Sequence, residues 1–235
     1  MSKALPFCDK VLQKVEVDDG SKISSTERFG SLTHVSGNIT CFIMVYSEGE
    51  KIVLKGTHGT SRSRAEVISS KGFVATTKEC VLMSGVYFWA YDNEISLAKR
   101  LAENWWRFSS VKLKSYVEDS DCSLAVLDAR IEANENVYFD ASAESFLDLL
   151  IKTAEARGIE STKQEFNKLR VLLLTEIEAF KKTTFCVIKA EVEVPGKVSG
   201  ESSAPFVYWA AKQAPCYVVT NTALNLINHV ELVEE

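Results

Sequence analysis

The residues best suited to chemistry in this chain are His58, the run Gly59-Thr60-Ser61 behind it, and Tyr87. A neutral imidazole both donates and accepts hydrogen bonds, which suits a ribose hydroxyl. Gly59 offers its amide and carbonyl with no side chain in the way, so a ligand can come close to the backbone. Tyr87 offers a flat ring for stacking, with a hydroxyl at its edge. Together these groups suit a nucleotide that carries a flat base on a ribose. Each has a plainer reading when taken singly. A histidine near a strand end is most often an ordinary polar residue, and a tyrosine among Val86, Phe88 and Trp89 is most often core.

The order of elements around them is more telling than any one residue. Ile52-Val53-Leu54 reads as a strand that delivers His58 at its end, between Gly56 and Gly59. A short helical segment follows, with Ala65 and Ile68 three apart, and Gly72 stops it. Gly85-Val86-Tyr87-Phe88-Trp89 is a second β-like run. The next segment places Ile95, Ala98, Leu101, Ala102 and Trp105 on one helical face. The order is thus strand with histidine, helix, strand with tyrosine, helix.

That order, with His-Gly-Thr-Ser at 58–61 and Gly-Val-Tyr-Phe at 85–88, resembles the ADP-ribosyltransferase superfamily. The likeness is to the branch with a His-Tyr-Glu signature, which includes diphtheria toxin and the poly(ADP-ribose) polymerases. The two motifs cover about a quarter of the chain. The resemblance implies NAD as substrate and no metal. It gives His58 a ribose hydroxyl to hold and Gly59 the nicotinamide carboxamide, with Thr60 and Ser61 beside them. It also implies that Tyr87 stacks on the nicotinamide, in the same cleft as His58.

The branch's third motif is a glutamate that opens a late strand and stabilises the cation formed as nicotinamide leaves. Here the late strand reads QAPCYVVT, which puts Cys216 in that place. Gln213, just upstream, is the candidate third catalytic residue and is expected to face His58 across the cleft. Its amide can both donate to and accept from ribose hydroxyls. Glu191, Glu193 and Glu231 are the carboxylates that could reach in by another route.

The implied activity is mono-ADP-ribosyl transfer to a macromolecule, as in a prokaryotic toxin or phage-defence effector held in check by an antitoxin protein. RNA is slightly favoured over protein as the target. Trp105 and Trp106 cannot share one helical face, so one reads as core and the other is available to a groove or partner, where exposed aromatics stack unpaired bases; Arg62, Arg64, Lys71, Arg100 and Arg107 are near in sequence. A solvated face is the commoner outcome of such mixed charge. Two alternatives stay open: a non-catalytic NAD- or nucleotide-binding module, and an NAD-dependent RNA 2'-phosphotransferase.

Composition bounds these readings. The chain has 235 residues, 46% of them hydrophobic, and a net charge of -5. That suffices for one sizeable core and argues mildly against a broad electropositive surface. The start, MSKALPFCDKVLQKVEVDD, lacks the pattern of a signal peptide, and no apolar run spans a bilayer. A cytoplasmic protein with no membrane association is expected. Cys8, Cys41, Cys80, Cys122, Cys186 and Cys216 form no CxxC pair and read as reduced thiols.

The expected fold is a single α+β domain over 1–235, with two small, mainly antiparallel sheets packed as a split β-sandwich and flanked by helices. Residues 1–38 read as an N-terminal arm. Thr40 to Tyr46 and Lys51 to Leu54 read as a hairpin. Ser142 is expected to cap the first helix of a helical hairpin inserted over 142–182. Its second helix carries the stripe Phe166, Leu169, Leu173, Ile177 and Phe180. Residues 197–204 read as a mobile Gly/Ser loop.

Overall fold

Strand β1 runs from Lys51 to Ser61, so His58 lies inside it and not at its end. Helix α1 (Arg62–Lys71) follows directly and stops at Gly72, whose φ of 79° suits a residue without Cβ. Strand β2 (Gly85–Tyr91) and helix α2 (Ser96–Val111) complete the expected order. This computed structural model describes residues 49–75, 83–160, 162–198 and 200–233. The expected arm over 1–38, the strand over 40–46, and Cys8, Cys41 and Cys80 lie outside the described residues.

The rest of the chain adds β3 (Leu124–Asn134), β4 (Tyr138–Asp140), α3 (Glu144–Arg157), α4 (Lys163–Lys181), β5 (Val187–Glu193), α5 (Phe206–Ala210), β6 (Gln213–Thr220) and β7 (Ile227–Leu232). Ser142 does not cap α3. Its amide and hydroxyl both bond the Asp140 carboxylate, at 2.8 and 2.5 Å, and α3 starts two residues later. Helix α4 is capped by Thr162, which accepts from the Glu165 amide. Gly158, in the left-handed region, closes α3.

The protein is α+β. All seven described strands hydrogen-bond into one mixed sheet, in the order β4-β5-β6-β2-β1-β3-β7, where two sheets were expected. The sheet is nevertheless uneven. Strand β1 pairs with β3 along its whole length, but with β2 only through Lys55↔Tyr91, Gly56↔Ala90 and Thr57↔Trp89. Beyond Trp89, β2 pairs only with β6. The two halves of the sheet are therefore joined by the C-terminal end of β2 alone.

Side-chain alternation sorts the core between the two faces. One face carries Trp89, Val126 and Cys216 under α2, and Ile188, Ala190 and Val218 under α3 and α4. The other carries Phe88, Ile131, Val187 and Tyr217, with Ala125 and Leu127 meeting Ala65 of α1. Among the helix residues, Trp106 is half-buried and Trp105 is 37% exposed, the reverse of the expected face. The segment expected to be a mobile loop, 197–204, is tied to α2 through Glu201, which pairs with Arg107. Just before it, Asn104 donates to the Pro195 carbonyl and Arg107 to the Gly196 carbonyl, both at 2.7 Å.

Helix α2 sits very close to β1. A Cβ at Gly59 would collide with the carbonyl group of Ala102. The Thr57 hydroxyl donates to the Ala98 carbonyl at 2.7 Å one residue pair away. We expect Gly59→Ala to destabilise the fold by roughly 1–3 kcal/mol or more through overpacking. Urea denaturation measures this, and an unchanged midpoint would contradict the contact.

Candidate functional site

His58 occupies the place where β1 and β2 part. The next rung after Thr57↔Trp89 would pair His58 with Phe88, but the ladder has ended. The imidazole takes over: its Nδ1 lies 2.9 Å from the Tyr87 carbonyl oxygen. A carbonyl only accepts, so Nδ1 carries the hydrogen and Nε2 of the neutral ring is left as an acceptor. The ring is partly buried, edge-on to Phe73 at 5.3 Å between centroids and tilted against Phe88 at 5.8 Å. Burial lowers its pKa more than the Tyr87 carbonyl raises it. A neutral imidazole that can accept from a hydroxyl is what this geometry provides.

Tyr87 is joined to His58 through its backbone and not through its ring. Its side chain alternates onto the opposite face, registered with Val218 and packed against the clusters under α2 and under α3 and α4. Its hydroxyl donates to the Met83 carbonyl at 3.2 Å. The expectation that both rings border one cleft is therefore not met. The two residues are neighbours across the parting, but alternation sends their side chains to different faces.

The other residues of the first motif are held by the protein itself. Gly59 makes room for α2. Thr60 and Ser61 are buried. The side chains of Thr60 and Ser109 lower the pKa of the Tyr116 hydroxyl against the larger upward effect of its burial. The Ser61 hydroxyl donates to Asp119, which also pairs with Arg64 at 2.8 Å. These hydrogen bonds hold the Asp119 carboxyl below its ordinary value against the opposing effect of burial, the largest single influence on it. This anchor was not legible beforehand, because Asp119 lies 58 residues from Ser61 in an irregular polar segment.

Gln213 is not brought to His58. It is exposed at the start of β6, paired with Glu193 on β5. The His58 level corresponds to Phe88 and thus to Tyr217, four residues further along β6. Four residues of strand span about 13 Å, and β2 intervenes between β6 and β1. Cys216 is buried under α2, and burial pushes its thiol up. Glu191 and Glu193 are exposed on β5, and Glu231 pairs with His229 on β7 at 2.7 Å. No carboxylate of the described residues perturbs His58.

The expected basic cluster is largely neutralised in place. Arg62 meets Glu66 at 3.7 Å, Arg64 meets Asp119, and Arg107 meets Glu201. Among the described residues no group of His, Cys, Asp and Glu could hold a metal, and no helix is long and apolar enough to cross a membrane. Two arrangements were missed from the sequence. Tyr91 donates to both carboxylate oxygens of Asp128, at 2.7 and 2.8 Å. Arg170 is buried on α4 beside Tyr87. Comparison with known proteins finds no matching family model, no matching curated protein and no matching solved structure.

The His58 environment has a pH consequence. With a folded pKa below the unfolded one, the unfolded chain takes up the proton first. The stability this group contributes is present above about pH 6.5 and is lost as pH falls from there towards the folded pKa. We expect wild-type stability to decline across that window and His58→Gln to lack that component. Parallel stability–pH curves for the two proteins would contradict it.

Proposed function

We propose that this chain is an NAD-dependent mono-ADP-ribosyltransferase whose nucleotide site lies at the parting of β1 and β2. The observation that carries the reading is the contact of the two motifs at that parting, His58 Nδ1 on the Tyr87 carbonyl at 2.9 Å. The element order β1-α1-β2-α2 around it is the one that the motifs imply. In this reading the imidazole presents Nε2 to a ribose hydroxyl, and the two halves of the sheet act as the two packed layers of a split sandwich. ADP-ribose passes to a macromolecular acceptor, RNA before protein, for which the exposed Trp105, tilted on Phe108 at 5.8 Å, is a stacking surface. An antitoxin protein would be the neutralising partner.

A second reading is favoured by two observations. The Tyr87 ring lies on the face away from His58, and no described carboxylate acts on the imidazole where positive charge would develop. Those features suit a module that binds NAD or another nucleotide without transferring it.

Incubation with NAD separates the two readings. Release of nicotinamide together with labelled RNA or protein in a lysate is the expected result. Saturable binding without nicotinamide release would select the binding module. His58→Ala should abolish transfer and weaken binding by about 1–3 kcal/mol, the value of one hydrogen bond to a buried hydroxyl. Tyr87→Phe should be milder than Tyr87→Ala, because losing the ring empties packing under α2 and under α3 and α4, next to the backbone carbonyl that holds His58. Wild-type turnover in His58→Ala would remove the histidine from the site.

A further inference from the structure

Strand β7 is an edge of the sheet, and no described strand pairs with its outer side. Alternation along it shows which groups face outward. The Val233 amide bonds the Val126 carbonyl at 2.9 Å, one rung beyond Leu127↔Leu232. In an antiparallel ladder, hydrogen-bonded rungs alternate with unbonded ones. The backbones of Glu231 and His229 therefore bond β3, while Val230 and Leu232 turn their N–H and C=O groups away from it. Helix α1 leaves room on this side. A cavity of about 350 Å³ lies between Ala65, Ser69 and Ser70 of the helix and Leu232 of the strand.

The charges on β7 are in the wrong order for β3. The register sets Arg130 opposite His229 and Asp128 opposite Glu231, base beside base and acid beside acid. Like groups directly opposite one another are unfavourable in a ladder. The two β3 residues find partners elsewhere. Tyr91 donates to Asp128 at 2.7 and 2.8 Å, and Glu132 meets Arg130 at 3.3 Å. His229 and Glu231 meet each other at 2.7 Å, with side chains 60% and 67% exposed.

Bulges and charges commonly protect an edge from pairing. Here the bulge lies at the start of β7, before His229, and the acid and the base are two residues apart on one face. The strand that matches this edge runs antiparallel to it, with an acid opposite His229 and a base opposite Glu231. Strand β7 is itself such a strand when turned about Val230. Turned about His229 it would oppose base to base, and about Glu231 acid to acid.

We infer that a second copy of this chain pairs along this edge, β7 antiparallel to β7 about a two-fold axis at Val230. The two Val230 backbones exchange hydrogen bonds at the axis, and His229 of each copy faces Glu231 of the other. The pairing takes nothing from the proposed function.

Sedimentation of the full chain from micromolar to submillimolar concentration tests it, with amide hydrogen exchange read over the same range. A monomer–dimer equilibrium is expected. The Val230 amide should become protected as dimer forms, and the Glu231 amide, already bonded to β3, should change less. His229→Glu sets acid opposite acid across the axis and should weaken the dimer about tenfold or more. Adding Glu231→Lys to that variant reverses both pairs and should restore the dimer, a rescue that a role confined to the monomer would not produce. Unfolding temperatures of the dilute proteins check that each variant is folded. If His229→Glu does not fold, the protection of Val230 in the wild type still decides. A monomer at every concentration would overturn the inference, and so would a dimer in which Val230 stays unprotected. A dimer that a folded His229→Glu leaves as tight as the wild type, or that the double variant fails to restore, would also overturn it.

Discussion

The close seat of α2 on β1 decides where the remaining groups go. Gly59 has no room for a Cβ beneath Ala102, and Thr57 bonds the Ala98 carbonyl, so both must face the helix. Alternation then turns His58, between them, to the opposite face. The register Thr57↔Trp89 carries the constraint into β2, where Trp89 and Tyr87 lie on the helix side and Phe88 on the side of His58. Continued to Cys216 and Val218, it fixes which residues of β6 meet α2 and α4. One glycine and one threonine thus orient the side chains of three strands.

A second constraint follows from the short pairing of β1 with β2. When a ladder ends inside a sheet, the next carbonyl needs another donor. The Tyr87 carbonyl receives it from the imidazole, which selects the tautomer of His58. A hydrogen bond that holds the two halves of the sheet together at this point is also the one that prepares Nε2 as an acceptor. An apolar side chain would leave that carbonyl without the donor, which is a structural reason for a histidine at this position.

The sequence was a good guide where local pattern decides and a poor one where register decides. The order β1-α1-β2-α2 and the helical hairpin are visible as periodicity, whereas the cap read at Ser142 was not one, since that residue bonds Asp140 instead. The length of β1 was not visible, because Gly56-Thr57-His58-Gly59 has little strand character of its own and is held extended by pairing with β3. A glycine beside a histidine reads equally well as a place for a ligand or for a helix, and only packing tells the two apart. Gln213 was expected across the cleft from His58, but β6 lies beside β2 and not beside β1. Arg170 went unnoticed within the apolar stripe of α4. Its spacing from Phe166 and Leu174, four residues on either side, was the available signal.

Charge supply bears on how Arg170 should be understood. The chain has 32 acidic residues against 27 lysines and arginines, so carboxylates are in surplus. Arg62, Arg64 and Arg107 have each found one, including Asp119 and Glu201, which come from distant parts of the chain. The protein therefore brings acids to its arginines over long sequence separations where the fold needs them. That Arg170 is without one among the described residues, in a more buried place than any of those three, is not a matter of scarcity. So placed, its guanidinium costs the fold stability, because a buried cation without a counter-charge is among the larger penalties a core carries.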